Sequence, residues 1–543
     1  MEKFDRGETM RFEFTVKKSK SKSPNAPRAS LVASDEMIVA PMSALKKPLS
    51  ALSLHGSAIP AEAETQWKKK QKKLLQDSEK ASSRTSEVSL ADGTSVLMLF
   101  LGDNLSPYEL HTQLRKQFES CLSAHGSGEN ESSIALSLSL LSSKNQDLIL
   151  KAMAALAEIA CWEPAKFGKA GEKQQAEKKK HQKPYSIEVA TSLSPTAFRL
   201  AVECGQALGE ANNTVRTLAD LPANELNPAT YQEHARDFAK SHGLGYEFWN
   251  IAELTKRKAG AFLAVNRADP HSKAGIAVLK YRPKKANKKT PVLALVGKGL
   301  CFDTGGYNVK TGNYMLGMHG DMTGSALALA LCGYFSKVGA PFEVHAYLAL
   351  AENLISPTAY KPNEVVIASD GTSIEVVDTD AEGRMVLSDT LAFVRKTKPT
   401  LCIDYATLTG AAIRSLDTRR AAVFSNRERL AQAAVQAGDQ SGERTWSFPI
   451  GQDYRDMLKS KIADIQQCAS VNNADHIYAA TFLSHFIGDE TPWIHLDLVP
   501  AENKGGLGLV STDTTGFGVF WTTQLVDEAL KIAQKAPSKG IRR

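Results

Sequence analysis

Five carboxylates and three cations crowd two short, glycine-rich stretches of this chain. The first reads Val296-Gly-Lys298-Gly-Leu-Cys-Phe-Asp303-Thr-Gly-Gly-Tyr-Asn-Val-Lys310, followed by Gly320-Asp321-Met-Thr-Gly324. The second reads Val377-Asp378-Thr-Asp380-Ala-Glu382-Gly-Arg384. Were Asp303, Asp321, Asp380 and Glu382 brought into one pocket, their repulsion would need relief, and a pair of divalent cations supplies it. Carboxylate-rich donor sets favour Mg, Mn or Zn over copper or iron–sulfur chemistry. No His-Glu-x-x-His occurs, so the single-zinc helix design is absent. Lys298, Lys310 and Arg384 stand beside the acids. A lysine next to metals can lose its proton and become a ligand, because burial and cations both depress its pKa. Any one of these residues is an ordinary turn former. Together, so many charges at strand ends would be costly to bury without a function.

Calcium is the sharpest rival. Asp378-Thr-Asp380-Ala-Glu382-Gly383 imitates the opening of an EF-hand loop, and Asp389 falls at its last ligand position. Against it, the fifth position is Glu, the twelfth is Asp, and Val376-Val377 precedes the loop where a helix should enter. Other reactive residues take plainer readings. His319 lies two before Asp321 and reads as packing around the pocket, and Cys301 as a small buried hydrophobe. His495 and Asp497 read as structural residues at a strand end.

The elements that must position these residues alternate. Pro291–Val296 is an aliphatic run closed by Gly297, as in a buried parallel strand. Glu343–Leu350 and Thr400–Ala406 are further strands; Gly324–Val338 and Arg384–Lys396 are helices. Strand–helix alternation implies a mainly parallel, doubly covered sheet, with the site beyond the carboxyl ends of its strands. Upstream, strands are expected at Met37–Ala40 and Val96–Leu101, helices near Tyr108–Ala124 and Asn145–Ile159, and Ser-rich loops at Ser82–Ser89 and Ser123–Ser133. Ser194–Ala211 reads as a helix with Ser194 as N-cap and Pro195 in its first turn. The expected division is a disordered tail over 1–30, an α/β domain over 31–190 ending in a charged linker, a linker helix over 191–213 and a catalytic domain over 214–543.

At 543 residues, 43% of them hydrophobic, the chain is globular and long enough for two or three domains. No apolar run reaches the roughly 18 residues a membrane span needs, so no membrane partner is expected. Glu2, Asp5 and Glu8 with no apolar stretch argue against a secretory signal, and Lys17–Lys22 reads as solvated tail. Seven scattered cysteines without a Cys-x-x-Cys pair read as reduced thiols, giving a cytoplasmic expectation. The net charge of +7 is concentrated in Lys166–Lys183, whose neighbours are Glu, Gln and Ala. A nucleic-acid groove would interleave Arg and aromatics there, so a solvated linker is expected and nucleic acid is not.

Asp380-Ala-Glu-Gly-Arg384 closely resembles the signature of the leucyl aminopeptidase (cytosol aminopeptidase) family. Val296-Gly-Lys-Gly-Leu-Cys-Phe-Asp303-Thr-Gly-Gly306 and Asp321-Met-Thr-Gly-Ser325 match the same family. So do Ala406-Thr-Leu-Thr-Gly410-Ala, Trp493-Ile-His-Leu-Asp497, Thr515-Gly-Phe-Gly518 and, upstream, Arg216-Thr-Leu-Ala-Asp-Leu-Pro-Ala-Asn224. The resemblance covers residues 195–525 and implies an N-terminal, macro-like α/β domain joined by a helix to a larger α/β catalytic domain. It implies a metal-dependent hydrolase releasing N-terminal leucine-like or other neutral residues from peptides, through water activated by two divalent ions (Zn, Mn, Co or Mg). Lys298, Asp303, Asp321, Asp380 and Glu382 match the metal ligands. By the same resemblance Asp303 and Glu382 bridge both ions, Lys298 and Asp321 hold the tighter one, and Asp380 the exchangeable one. Lys310 and Arg384 match the catalytic residues, the latter holding a bicarbonate; Met318, Thr407, Leu408 and Gly410 match the substrate pocket. Asp378 replaces the family's usual Asn beside that pocket, and Tyr307-Asn308 and Thr311–Tyr314 depart from the commonest leucyl sequences. Six subunits, as two stacked trimers, are the implied assembly.

Overall fold

The computed structural model describes residues 12–16, 35–41, 44, 46–47, 61–76, 83–89, 95–101, 105–124, 133–180, 185–269, 271–470 and 473–535. They form two compact α/β units. One comprises the chain up to Glu210 with Leu507–Ser511; the other comprises Ala211–Gly506 and the chain from Thr512 on. Among the described residues no helix is long and apolar enough to cross a membrane.

The first unit holds a six-stranded sheet ordered β1-β6-β5-β2-β4-β3. Its strands are β1 (Phe12–Val16), β2 (Asp35–Pro41), β3 (Ser83–Ser89), β4 (Ser95–Leu101), β5 (Ser133–Ser137) and β6 (Tyr185–Ala190). All pairs are parallel except β3 with β4. Trp67, from the helix Ala61–Gln76, stacks on Phe100 at 5.8 Å in a core with Ile38, Ala40 and Met98. The expected helices appear as Pro107–Ala124 and Ser143–Ala160.

Three local expectations change. Ser82–Ser89 is not a loop: polar as it is, Ser83–Ser89 pairs its backbone with β4, with Thr85 and Glu87 exposed on the edge. Phe12–Val16, inside the expected tail, pairs with β6, its alternating Phe12, Phe14 and Val16 fitting a strand. The charged stretch contains a helix, Gly168–Lys180, built from the good helix formers Lys, Glu, Gln and Ala. The rest of the 1–30 segment, and residues 125–132 of the Ser123–Ser133 stretch, lie outside the described residues.

The second unit is built on an eight-stranded sheet ordered β15-β14-β17-β13-β9-β10-β8-β7. Its strands are β7 (Gly245–Asn250), β8 (Gly275–Tyr281), β9 (Val292–Asp303), β10 (Glu343–Asn353), β13 (Leu401–Ala406), β14 (Ala421–Ser425), β15 (Thr445–Ser447) and β17 (Trp493–Asp497). The central four, β17-β13-β9-β10, are parallel, while β8, β7 and β14 enter antiparallel pairs. A small sheet, β11 (Val365–Ile367), β12 (Ser373–Glu375) and β16 (Ile465–Gln466), stands apart. Parallel strands covered on both faces should be apolar throughout, and β9, β10 and β13 are buried almost end to end. The helices Thr323–Lys337 and Glu382–Thr397 cover the sheet and bury most of their residues.

Candidate metal centre

β9 is twice as long as its aliphatic run, so Lys298 lies inside the strand and Asp303 closes it. Asp321 follows a short 3-10 turn, Met318–Gly320, and Glu382 opens the helix Glu382–Thr397, with Asp380 in the turn before it. Five residues from three separated stretches thus converge at the carboxyl end of β9. Gly383 permits the approach: a Cβ there would sit 2.6 Å from Lys298 Cε. Gly305, at φ +82°, turns the chain directly after Asp303, a conformation that favours glycine.

Two lysines hold the acids together. Lys298 Nζ lies 2.9 Å from Asp321 Oδ2 and 2.9 Å from Glu382 Oε1. Lys310 Nζ lies 2.9 Å from Asp303 Oδ2 and 2.6 Å from Asp380 Oδ1. Asp303, Asp321 and Glu382 are buried, and Asp380 faces solvent. Ligand atoms of Asp303, Asp380 and Glu382 fall within 4.8 Å of one another.

The charge does not balance. Four carboxylates meet two ammoniums, and Glu382 Oε2 is buried without a hydrogen-bond partner. Burial, with neighbouring acids opposing the lysines, pushes Asp321 and Asp380 up to about 7 and raises Glu382 as well. Burial pulls Lys298 and Lys310 down, but the surrounding carboxylates outweigh it, so both stay above the ordinary lysine value. Without a cation, therefore, Lys298 is a clamp and not a ligand. A divalent ion among the acids would remove that support and favour a neutral amine. An acid-rich, under-neutralised pocket with an unpartnered carboxylate oxygen is the donor set a hard divalent cation fits.

A polar frame fixes these groups. Asn353, which ends β10 opposite Asp303, donates from Nδ2 to Asp303 Oδ1 (2.8 Å) and to Thr379 O (3.0 Å). Thr379 Oγ1 donates to Gly305 O (2.6 Å) and accepts from Asn308 N (2.8 Å). Asp378 accepts from Asp380 N through Oδ1 (2.9 Å), so the added carboxylate shapes the turn. Arg384 is buried; its Nη2 pairs with Asp475 Oδ2 at 2.7 Å and its Nη1 donates to Gln467 O at 3.3 Å.

Of the pocket residues, Thr407 enters the cluster directly: its carbonyl accepts from Lys298 Nζ (3.0 Å) and its hydroxyl donates to Asp321 Oδ1 (2.7 Å). Leu408 packs on the core of the unit, Gly410 is exposed at the start of the helix Gly410–Leu416, and Met318 is half-buried in the turn before Asp321. Asn353, Asp475 and Gln467 are partners the sequence reading did not pick out, and Asp497 it read only as a structural residue at a strand end. Asn353 and Asp497, polar residues at the carboxyl ends of parallel strands, carried the only available signal.

The cytosol aminopeptidase family, catalytic domain, matches residues 213–522. A probable cytosol aminopeptidase of Persephonella marina is 34% identical over 320 residues, 59% of this chain and 64% of the relative. One from Parasynechococcus marenigrum is 40% identical over 307 residues, 56% of this chain and 62% of the relative. The chain thus spans less than two thirds of these relatives' length. Among solved structures, the bottromycin maturation enzyme BotP in complex with Mn matches at TM-score 0.74 and 26% identity, covering 92% of this chain and 100% of that one.

Proposed function

Since the chain belongs to the cytosol aminopeptidase family, we propose that it is a metal-dependent aminopeptidase releasing single N-terminal residues, leucine-like or otherwise neutral, from peptides. The observation that carries the reading is the under-neutralised cluster of buried Asp303, Asp321 and Glu382 with solvent-facing Asp380, in which Glu382 Oε2 is unpartnered. Lys298, Asp303, Asp321, Asp380 and Glu382 would hold the two ions. The ions, Zn, Mn, Co or Mg, would supply Lewis acidity to a water and to the substrate carbonyl, and a seat for the free α-amine. Manganese has the support of the BotP complex.

The chain's own groups do the rest. Lys310, held on the solvent side by Asp303 and Asp380, reaches the scissile carbonyl and stabilises negative charge developing on its oxygen. Arg384, fixed by Asp475 and Gln467 O, places a buried positive charge behind Glu382. A bicarbonate there, as the family resemblance implies, would share the guanidinium with Asp475. Met318, Asp378, Thr407, Leu408 and Gly410 would line the pocket for the N-terminal side chain. A cytoplasmic homohexamer of two stacked trimers completes the reading.

The test is hydrolysis of a panel of aminoacyl-amide reporters. Chelation should abolish turnover and added Mn, Zn or Co restore it, and Asp380→Ala should be inactive. Turnover indifferent to both chelator and Asp380→Ala would sink the proposal.

A further inference from the structure

β17 lies inside the eight-stranded sheet, where both faces should be apolar. Yet Trp493, His495 and Asp497 recur at every second residue, and all three are buried. The first two share a partner: Asp404, opposite His495 on β13, accepts from Trp493 Nε1 and pairs with His495 Nδ1, each at 2.5 Å. Asp497 does something different. Opposite Ala406, its Oδ1 accepts from Leu408 N at 3.1 Å and its Oδ2 from Thr409 Oγ1 at 2.8 Å. Thr409 in turn accepts from Ala412 N at 3.3 Å, capping the helix Gly410–Leu416.

The segment so gripped is the one whose first residue touches the metal centre. Thr407 offers its carbonyl to Lys298 and its hydroxyl to Asp321. We infer that Asp497 is a positioning residue for the metal centre: by fixing residues 408 and 409 it sets Thr407 so that Lys298 and Asp321 are held ready for a cation. The inference rests on the metal-dependent reading proposed above. Asp497 touches no ligand itself. It acts through two hydrogen bonds that a neutral amide can also make, since the Thr409 hydroxyl can turn to accept, so the bonds and not the charge are the device. Removing them frees the segment, and losses of this kind in supporting groups weaken metal affinity about 10–100-fold.

The experiment is Mn titration of the chelator-stripped, full-length protein, with bound metal counted after equilibrium dialysis. Wild type should take up two equivalents. Asp497→Ala and Thr409→Val should weaken one equivalent by about 10–100-fold, while Asp497→Asn and Thr409→Ser stay within about threefold of wild type. If Asp497→Ala does not fold, the Thr409 pair decides. Wild-type uptake by Asp497→Ala or by Thr409→Val overturns the inference, and so does Asp497→Asn binding as weakly as Asp497→Ala. A wild-type protein that takes up no metal refutes the metal reading itself, which is a separate failure.

Discussion

Lys310 is the residue where positioning and chemistry meet. Its ammonium touches a buried acid, Asp303, and a solvent-facing one, Asp380, so it stands at the border between the closed cluster and solvent, where the proposed function puts the peptide. Removing a donor that acts on developing charge costs about 10²–10³ in kcat. Lys310→Met should show that loss with bound metal unchanged, read by steady-state kinetics beside metal analysis; a KM effect alone would contradict the role. The acids and lysines of the centre were legible in the sequence because they cluster within two glycine-rich stretches. Their supports were not. Asn353 reaches Asp303 across 50 positions, Asp475 reaches Arg384 across 91, and Asp497 reaches Leu408 across 89. Such pairings are made by strand order, which no local spacing encodes.

At the level of elements, β9 shows what a local reading misses. Its aliphatic run ends at Val296, and Gly297 reads as its terminator, but the strand continues to Asp303. Gly297 is there because the helix Thr323–Lys337 lies on the strand: a Cβ at 297 would meet Ser325 Cα at 2.3 Å. Another element carries a titratable support. Glu443 accepts from Gly518 N at 2.9 Å and Trp521 N at 2.7 Å, at the start of the helix Val519–Lys535. Removal from water pushes its carboxyl up to about 8, against the pull of those amides. The folded state therefore holds a proton that the unfolded chain releases between the ordinary glutamate value and about 8. Stability from this group falls as pH rises through that window and levels off above it. The melting temperature of wild type should drop more steeply from pH 5.5 to 8 than that of Glu443→Gln. Parallel curves would refute the assignment.

For the molecule as a whole, the same sign governs the candidate metal centre. Asp321 and Asp380 stand at about 7 in the metal-free protein, and Glu382 is raised with them. The metal-free protein should thus lose stability as pH climbs from about 4 to 7, where the unfolded chain gives up those protons and the folded one keeps them. A bound divalent ion favours the ionised acids, so its stabilisation should grow over the same range, reaching about 2.7 kcal/mol at roughly a hundredfold excess over Kd. Calorimetry of stripped and Mn-loaded protein at pH 5.5 and 8 checks this: the gap between their melting temperatures should widen at the higher pH, and a constant gap would argue against it. The two-unit α/β plan and the parallel centre of the main sheet were readable from strand–helix alternation, while its antiparallel margins, β7, β8 and β14, were not. Lys298 and Lys310, finally, act as understudies. With an ammonium already bridging each pair of acids, the chain itself holds the cluster together, and under the metal-dependent reading an ion would enter a pocket whose acids are already gathered.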